Sequence, residues 1–284
     1  VSAPLFVEAD TALGAWRGDV DDGFALAALW GALAQGRVGG LLGVGSVWGN
    51  TAEGTAARCN AALAAACGYT GPLPRGAPGR WRAAGGALSE SAGVLAAAPD
   101  TARVVALGPL STVAAALAAR GGRPWAELVV VGANRTSRGR LPPLWPHEFN
   151  LTQDRAAFRH VFHSGQPLTL LPLDVAATFL ATPARLAALP GPVGALLRRG
   201  ARRWAWRSLL RRGSRAFPLW DVPAVLHALG APGLRLADVP ARLTGTGAVA
   251  FGEGARGVRV VERLDAPLLW EGFLGLLPQG RAAV

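Results

Sequence analysis

The sequence predicts an α/β fold: a mostly parallel sheet with helices on both faces, continued by a more helical C-terminal part. Three observations carry this. Short apolar runs alternate with alanine- and leucine-rich segments of helical length, in the order βαβαβαβ. Acidic and amide residues recur just after the strands or just before the helices, on the edge where parallel sheets bind ligands. No internal repeat or linker divides the 284 residues, so one domain over residues 1–284 is expected.

Residues 4–8 (PLFVE) read as a short buried strand, and 22–35 as a helix rich in Ala and Leu. Residues 38–47 (VGGLLGVGSV) read as a strand softened by glycine, followed by a helix over 52–67. ARVVAL (102–107) is a strand leading into a helix at 111–120. AELVVVG (126–132) is the next strand, then a helix at 154–163 and the strand LTLLPL (168–173). Further on, 193–212 and 220–229 read as helices, VRVVERL (258–264) as a strand and 267–277 as a closing helix. The Gly/Pro-rich stretch 70–87 reads as a long loop of the kind that often serves as a functional lid.

Apolar residues make up 51% of the chain, enough for a sizeable core. No run reaches the ~18 apolar residues of a membrane helix. The first residues lack the basic-then-apolar layout of a signal peptide. A cytoplasmic protein without a membrane partner is therefore expected. Cys59 and Cys67 lie eight apart on a helical stretch, a spacing that fits two thiols and no common zinc motif. Lys, Ile and Met are absent, which points to a GC-rich coding bias, and the net charge of +11 rests on Arg. Such a charge permits a polyanion partner, but coding bias is the simpler source, and a nucleic-acid partner is not expected. Residues 196–215 (LLRRGARRWAWRSLLRRGSR) hold eight Arg around Trp204 and Trp206. Arg199, Arg203, Arg207 and Arg211 share i,i+4 spacing and so one helix face. A solvated face is the preferred reading, with nucleic-acid or membrane-surface binding beside it.

The chemistry concentrates in carboxylates. Asp10 follows the first strand, Asp19 sits in the loop beyond it, and Asp21 and Asp22 open the first helix. Helix capping accounts for one or two of these, not four. Carboxylate oxygens without Cys or clustered His suit a hard cation such as Ca²⁺ or Mg²⁺. Adjacent residues on a helix diverge by ~100°, so Asp21 and Asp22 can do different jobs. Four further segments place polar groups at strand ends or helix starts. VGSVWGNT (44–51) ends in Asn50 and Thr51, and ALGPLSTVAAAL (106–117) contains a Gly-Pro turn. PHEFNLTQDRAAFRHVF (146–162) carries Glu148 and Asn150, and FPLWDVPAVLHAL (217–229) carries Asp221 after Trp220. Carboxylates and amides with little His suit a sugar's hydroxyl groups.

From residue 5 to about 230 these segments, in this order, resemble the nucleoside hydrolase family of the inosine-uridine-preferring type. The family signature Asp-x-Asp-Pro-Gly-x-Asp-Asp resembles Glu8-Ala9-Asp10, an expanded loop, and Asp21-Asp22. Glu8 replaces the first Asp, and the longer loop sets Asp19 in competition with Asp10 for the metal. Gly14 and Gly18 offer turning points within that loop. The resemblance implies a nucleoside hydrolase-like fold with a Rossmann-like core and a Ca²⁺ at the carboxyl edge of the sheet. Asp10, Asp22 and Asp221 would ligate the ion, together with the main-chain carbonyl of Leu107. Asp21, Asn50, Glu148 and Asn150 would bind the ribose hydroxyls. Thr112 stands where the family usually has Asn, and an Asn that precedes the Glu in the family is missing.

The implied reaction is hydrolysis of the N-glycosidic bond of ribonucleosides, in purine salvage or nucleoside catabolism. Asp10 would take the proton from water, while the anionic cluster favours positive charge on the ribose. Many family members place a His before the last metal-ligating Asp. Here it is Trp220, which offers only an indole N–H but can stack on a purine, as in a purine-preferring branch. Trp81 is the first choice for a second aromatic wall and Trp48 the second. His147 adjoins the Glu148 segment, and Asp174 follows a strand as a supporting group or a helix cap. The resemblance also implies homo-oligomers, dimer or tetramer. Two competing readings remain: a nucleic-acid-binding or scaffold protein with a degraded hydrolase site, and a glycosidase acting on another ribosyl compound.

Overall fold

The computed structural model describes residues 3–13, 15, 18–83, 86–135 and 148–278. Its main sheet has the order β2-β1-β3-β4-β5-β10-β8-β9. The strands are β1 (Leu5–Ala9), β2 (Leu41–Ser46), β3 (Arg103–Ala106), β4 (Glu127–Val131), β5 (Leu168–Leu171), β8 (Leu234–Leu243), β9 (Val249–Phe251) and β10 (Arg256–Leu264). From β2 to β10 the pairing is parallel, and β8 and β9 add antiparallel pairs at one edge. A separate two-stranded ladder joins β6 (Leu180–Ala181) to β7 (Phe217–Pro218).

Helices cover both faces. The larger core receives α1 (Asp21–Ala34), α9 (Gly191–Arg212), α10 (Val222–Ala228) and α11 (Ala266–Leu276), with part of α2 (Glu53–Ala66). The other receives α3 (Glu90–Ala97), α4 (Ser111–Ala119) and α6 (Arg155–His163). Short helices α5 (Asn150–Gln153), α7 (Leu173–Ala176) and α8 (Pro183–Ala187) complete the set. Strand β1 is buried throughout. Its alternation sends Leu5, Val7 and Ala9 into the first core and Phe6 into the second.

Helix α1 is buried along residues 21–32, which suits a helix apolar on nearly all sides. It packs closely on α11: a Cβ at Gly31 would sit 1.7 Å from the Leu276 carbonyl oxygen. Helix α9 ends at Gly213, whose φ of 69° closes it in the left-handed region. Among the described residues, no helix is long and apolar enough to cross a membrane.

The structure adds elements to the sequence reading. Helix α3 follows the long loop and is capped by the Ser89 hydroxyl, which accepts from the Ala92 N–H at 3.3 Å. The C-terminal part has the expected helices and, besides them, β8 and β9, which complete the sheet edge. Strand β8 alternates half-exposed residues and carries Pro240, which demotes a strand reading. Cys59 and Cys67 are both free thiols.

Phe24 is fully buried on α1 and stacks on Phe273 of α11, with ring centroids 6.2 Å apart. Phe24→Ala is expected to destabilise the fold by about 3–5 kcal/mol in urea unfolding. A loss below about 1 kcal/mol would contradict this packing.

Candidate active site

Strand β1 lies between β2, the next strand in sequence, and β3, the one after. The chain therefore leaves β1 at a topological switch point, where a crevice opens beyond the carboxyl ends of the strands. Asp10 stands there. Its Oδ2 accepts the Asn50 backbone N–H at 2.6 Å, and its Oδ1 accepts from Asn50 Nδ2 at 3.3 Å. The β2 loop comes so close that a Cβ at Gly49 would lie 2.0 Å from Asp10 Oδ2. Only glycine fits.

Three other carboxylates meet beside it. Asp21 and Asp22 form the first turn of α1, and Asp221 immediately precedes α10. These helices pack together, so their N-terminal ends converge. One oxygen each from Asp21, Asp22 and Asp221 lies within 4.8 Å of the others, and all three residues are buried. Both oxygens of Asp22 are buried without a hydrogen-bond partner. Asp21 Oδ2 accepts the Trp220 backbone N–H at 3.2 Å, which ties the two ends of the chain together. The β6–β7 ladder fixes this approach, with the Leu219 N–H donating to the Phe179 carbonyl at 2.9 Å. Asp19 is buried nearby and accepts the Val20 N–H at 2.7 Å.

Burial raises every carboxylate here. Asp10 is pushed up to about 7, and Glu8, buried in β1 with both oxygens unpartnered, to about 8. Asp19, Asp22 and Asp221 are held well above the usual range by burial and then by the charges of neighbouring aspartates, Asp10 and Asp21 in every case. Asp21 is raised as well. Of the charges acting on Asp22, Asp10 is the strongest. Among the described residues no guanidinium or imidazole pairs with any of the five aspartates. The N-terminal dipole of α1 contributes only ~0.3–1 kcal/mol, whereas each buried ion costs several. The group must therefore keep protons or surround a cation. An all-oxygen donor set with two unpartnered buried oxygens on Asp22 fits a hard divalent ion.

The remaining expected residues distribute as follows. The Leu107 carbonyl lies at the end of β3 and accepts from Asn150 Nδ2 at 2.6 Å, leaving a second lone pair. The same amide donates to the Val131 carbonyl at 3.1 Å. The amide of Asn150, which the sequence reading assigns to the ribose, thus also clamps the ends of β3 and β4. Glu148 Oε2 caps α5 through the Leu151 and Thr152 N–H groups at 2.8 and 3.1 Å. Its Oε1 is buried and unpartnered, and burial pushes the carboxyl up to about 7. Trp220 is half-buried beside Asp221. Trp81 packs on the His160 ring at 4.7 Å between centroids, and its backbone N–H donates to Asp154 Oδ2 at 2.6 Å. Trp48 Nε1 donates to Ser111 Oγ at 2.9 Å, and that hydroxyl donates to Asp154 Oδ2 at 2.7 Å. Asp174 Oδ1 accepts the Arg135 and Val175 N–H groups. His147 and Gly14 lie outside the described residues.

Two features were missed. Asp154 caps α6 and anchors both tryptophan loops; its place before a predicted helix was the available signal. Asn134 follows Ala133, which holds a φ of 69°, and its Oδ1 is buried and unpartnered. No sequence pattern marks that strained position.

A buried carboxylate cluster at the switch point of a parallel sheet defines a hydrolase-type, cation-ready site on an α/β scaffold. The family model for inosine-uridine preferring nucleoside hydrolases matches residues 9–271. The chain belongs to that family and is a hydrolytic enzyme of ribonucleosides. A plant nucleoside hydrolase superposes with a TM-score of 0.80 at 16% identity, covering 99% of this chain and 100% of that one. A purine-preferring ribonucleoside hydrolase from Gardnerella vaginalis gives 0.75 at 17% identity, covering 97% and 98%. An inosine-uridine preferring nucleoside hydrolase from Bacillus anthracis gives 0.74 at 14% identity, covering 99% and 100%. At these identities the structures establish the shared fold. No curated protein matches the sequence.

The raised carboxyls set a pH dependence. Glu8, Asp10 and Glu148 reach about 8, 7 and 7 in the folded chain. Between about pH 5 and about pH 8 the metal-free fold therefore holds protons that the unfolded chain has released, and stability falls as pH rises. Scanning calorimetry of the metal-free protein should show Tm dropping across this range. A flat profile would contradict the cluster's electrostatics.

Proposed function

We propose that the enzyme carries out Ca²⁺-dependent hydrolysis of the N-glycosidic bond of ribonucleosides, with a preference for purines. The observation that carries this reading is the meeting of Asp21, Asp22 and Asp221 within 4.8 Å, with both Asp22 oxygens buried and unpartnered. Asp10, Asp22, Asp221 and the Leu107 carbonyl would hold the ion, with Asp19 beside them. When bound, Ca²⁺ supplies Lewis-acid activation of water and offsets the carboxylate charge.

The rest is the work of the chain. Asp10, fixed by Asn50, is the carboxylate that takes the proton of the attacking water. The water oxygen bonds to the anomeric carbon. The bond from that carbon to the base breaks, and the base leaves with the electron pair and takes a proton from solvent. Buried carboxylates around the ribose favour the cationic sugar of the transition state. Asp21, Asn50 and Glu148 are the groups assigned to its hydroxyls; Glu148 Oε1 lacks a partner of its own. Asn150 supports them by holding the Leu107 carbonyl. Trp220 stacks on the purine, and Trp81 or Trp48 forms the facing wall. The family membership and the purine-preferring neighbour support this leaning.

A nucleoside panel tests it. Base release from inosine, adenosine or guanosine is expected, lost on chelation and restored by Ca²⁺. Asp22→Ala should lower turnover by about a hundredfold or more. Trp220→Ala should lower kcat/KM for purine nucleosides about tenfold more than for uridine. No turnover of any ribonucleoside by the Ca²⁺-loaded enzyme would overturn the proposal.

A further inference from the structure

A second concavity, with a volume of about 1250 Å³, is lined by residues of α2 and α9 and by Leu13, Ala15, Gly18 and Val20. Arg58 of α2 enters it from one side, and Arg199, Arg203 and Arg207 of α9 from the other. Their i,i+4 spacing turns the three α9 arginines to one face. Trp204 and Trp206 line the same space, and no Asp or Glu does so among the described residues. We propose that this cavity binds a free nucleotide, its phosphates on the arginines and its base on an indole.

Several observations favour a small phosphorylated ligand. Arginines from two helices line one hollow, rather than a single helix face alone. The volume suits a nucleotide-sized molecule. The Arg207 guanidinium stacks over the Trp204 ring at 4.7 Å. Trp206 is 54% exposed, a large exposure for an indole, and stacking on a base would cover it. Gly18 and Val20 form part of the wall and flank Asp19, so the cavity shares its loop with the carboxylate site. The inference does not rest on the hydrolase reading, because binding is measured without turnover.

Calorimetric titration of the intact chain with ADP, pyrophosphate, adenosine and a short oligoadenylate RNA tests it. ADP should bind more tightly than pyrophosphate, and the heat from adenosine should be unaffected by changes in this cavity. Arg199→Ala/Arg203→Ala should weaken ADP about tenfold or more while inosine cleavage stays unchanged. Trp206→Ala should weaken ADP but not pyrophosphate, and it guards against misfolding of the double variant. Asp22→Asn should keep ADP binding. Unchanged ADP affinity in both cavity variants would overturn the proposal. So would loss of ADP binding in Asp22→Asn alone, which would place the nucleotide at the carboxylates. RNA affinity that exceeds that of ADP and grows with oligomer length would assign the arginines to a polymer instead.

Discussion

Several carboxylates buried within a few ångströms of one another, with no basic side chain paired to them among the described residues, constrain this molecule more than any other feature. Their mutual repulsion and lost hydration cost several kcal/mol per ion. The helix dipole that meets them offsets a fraction of that. Such acids either keep protons or surround a cation, and the proposed hydrolysis places a cation, and briefly a cationic sugar, among them.

The scaffold spends much of its packing on holding these groups together. Helix α1 is buried from its first residue, so Asp21 and Asp22 cannot swing out to solvent. The β6–β7 ladder and the contact from Trp220 N–H to Asp21 bring Asp221 to the same place across most of the chain length. Asn50 orients Asp10, and Asn150 orients the Leu107 carbonyl. Gly49 permits the close approach that makes the first of these bonds possible. Functional groups on loops are thereby held by rigid strand ends, the usual division of labour in parallel α/β sheets.

Much of this architecture is legible in the sequence. The buried strands are short and rich in Val and Leu, so β1 to β5 stand out, and the Ala/Leu helices between them follow from propensity and length. The aspartates could be picked out because four acids in so short a stretch exceed what capping explains. Their convergence with Asp221 could be reached only through the family pattern, since no local rule links positions so far apart. Strands β8 and β9 escaped because half-exposed edge strands lack a clean apolar run, and Pro240 argues against one. The role of Asn150 as a clamp depends on where two main-chain carbonyls lie in space, which no spacing rule encodes. The arginine helix read as a solvated face; part of that face lines a cavity together with residues of α2, which no local pattern encodes.

The proposed chemistry requires that acids about 200 residues apart, Asp22 and Asp221, share one ion. Calcium titration of the metal-free protein, followed by calorimetry, measures this most directly. Wild type should take up a single ion per chain, and Asp221→Asn should lose it while circular dichroism shows the fold retained. Unchanged calcium affinity in a folded Asp221→Asn protein would contradict the shared site.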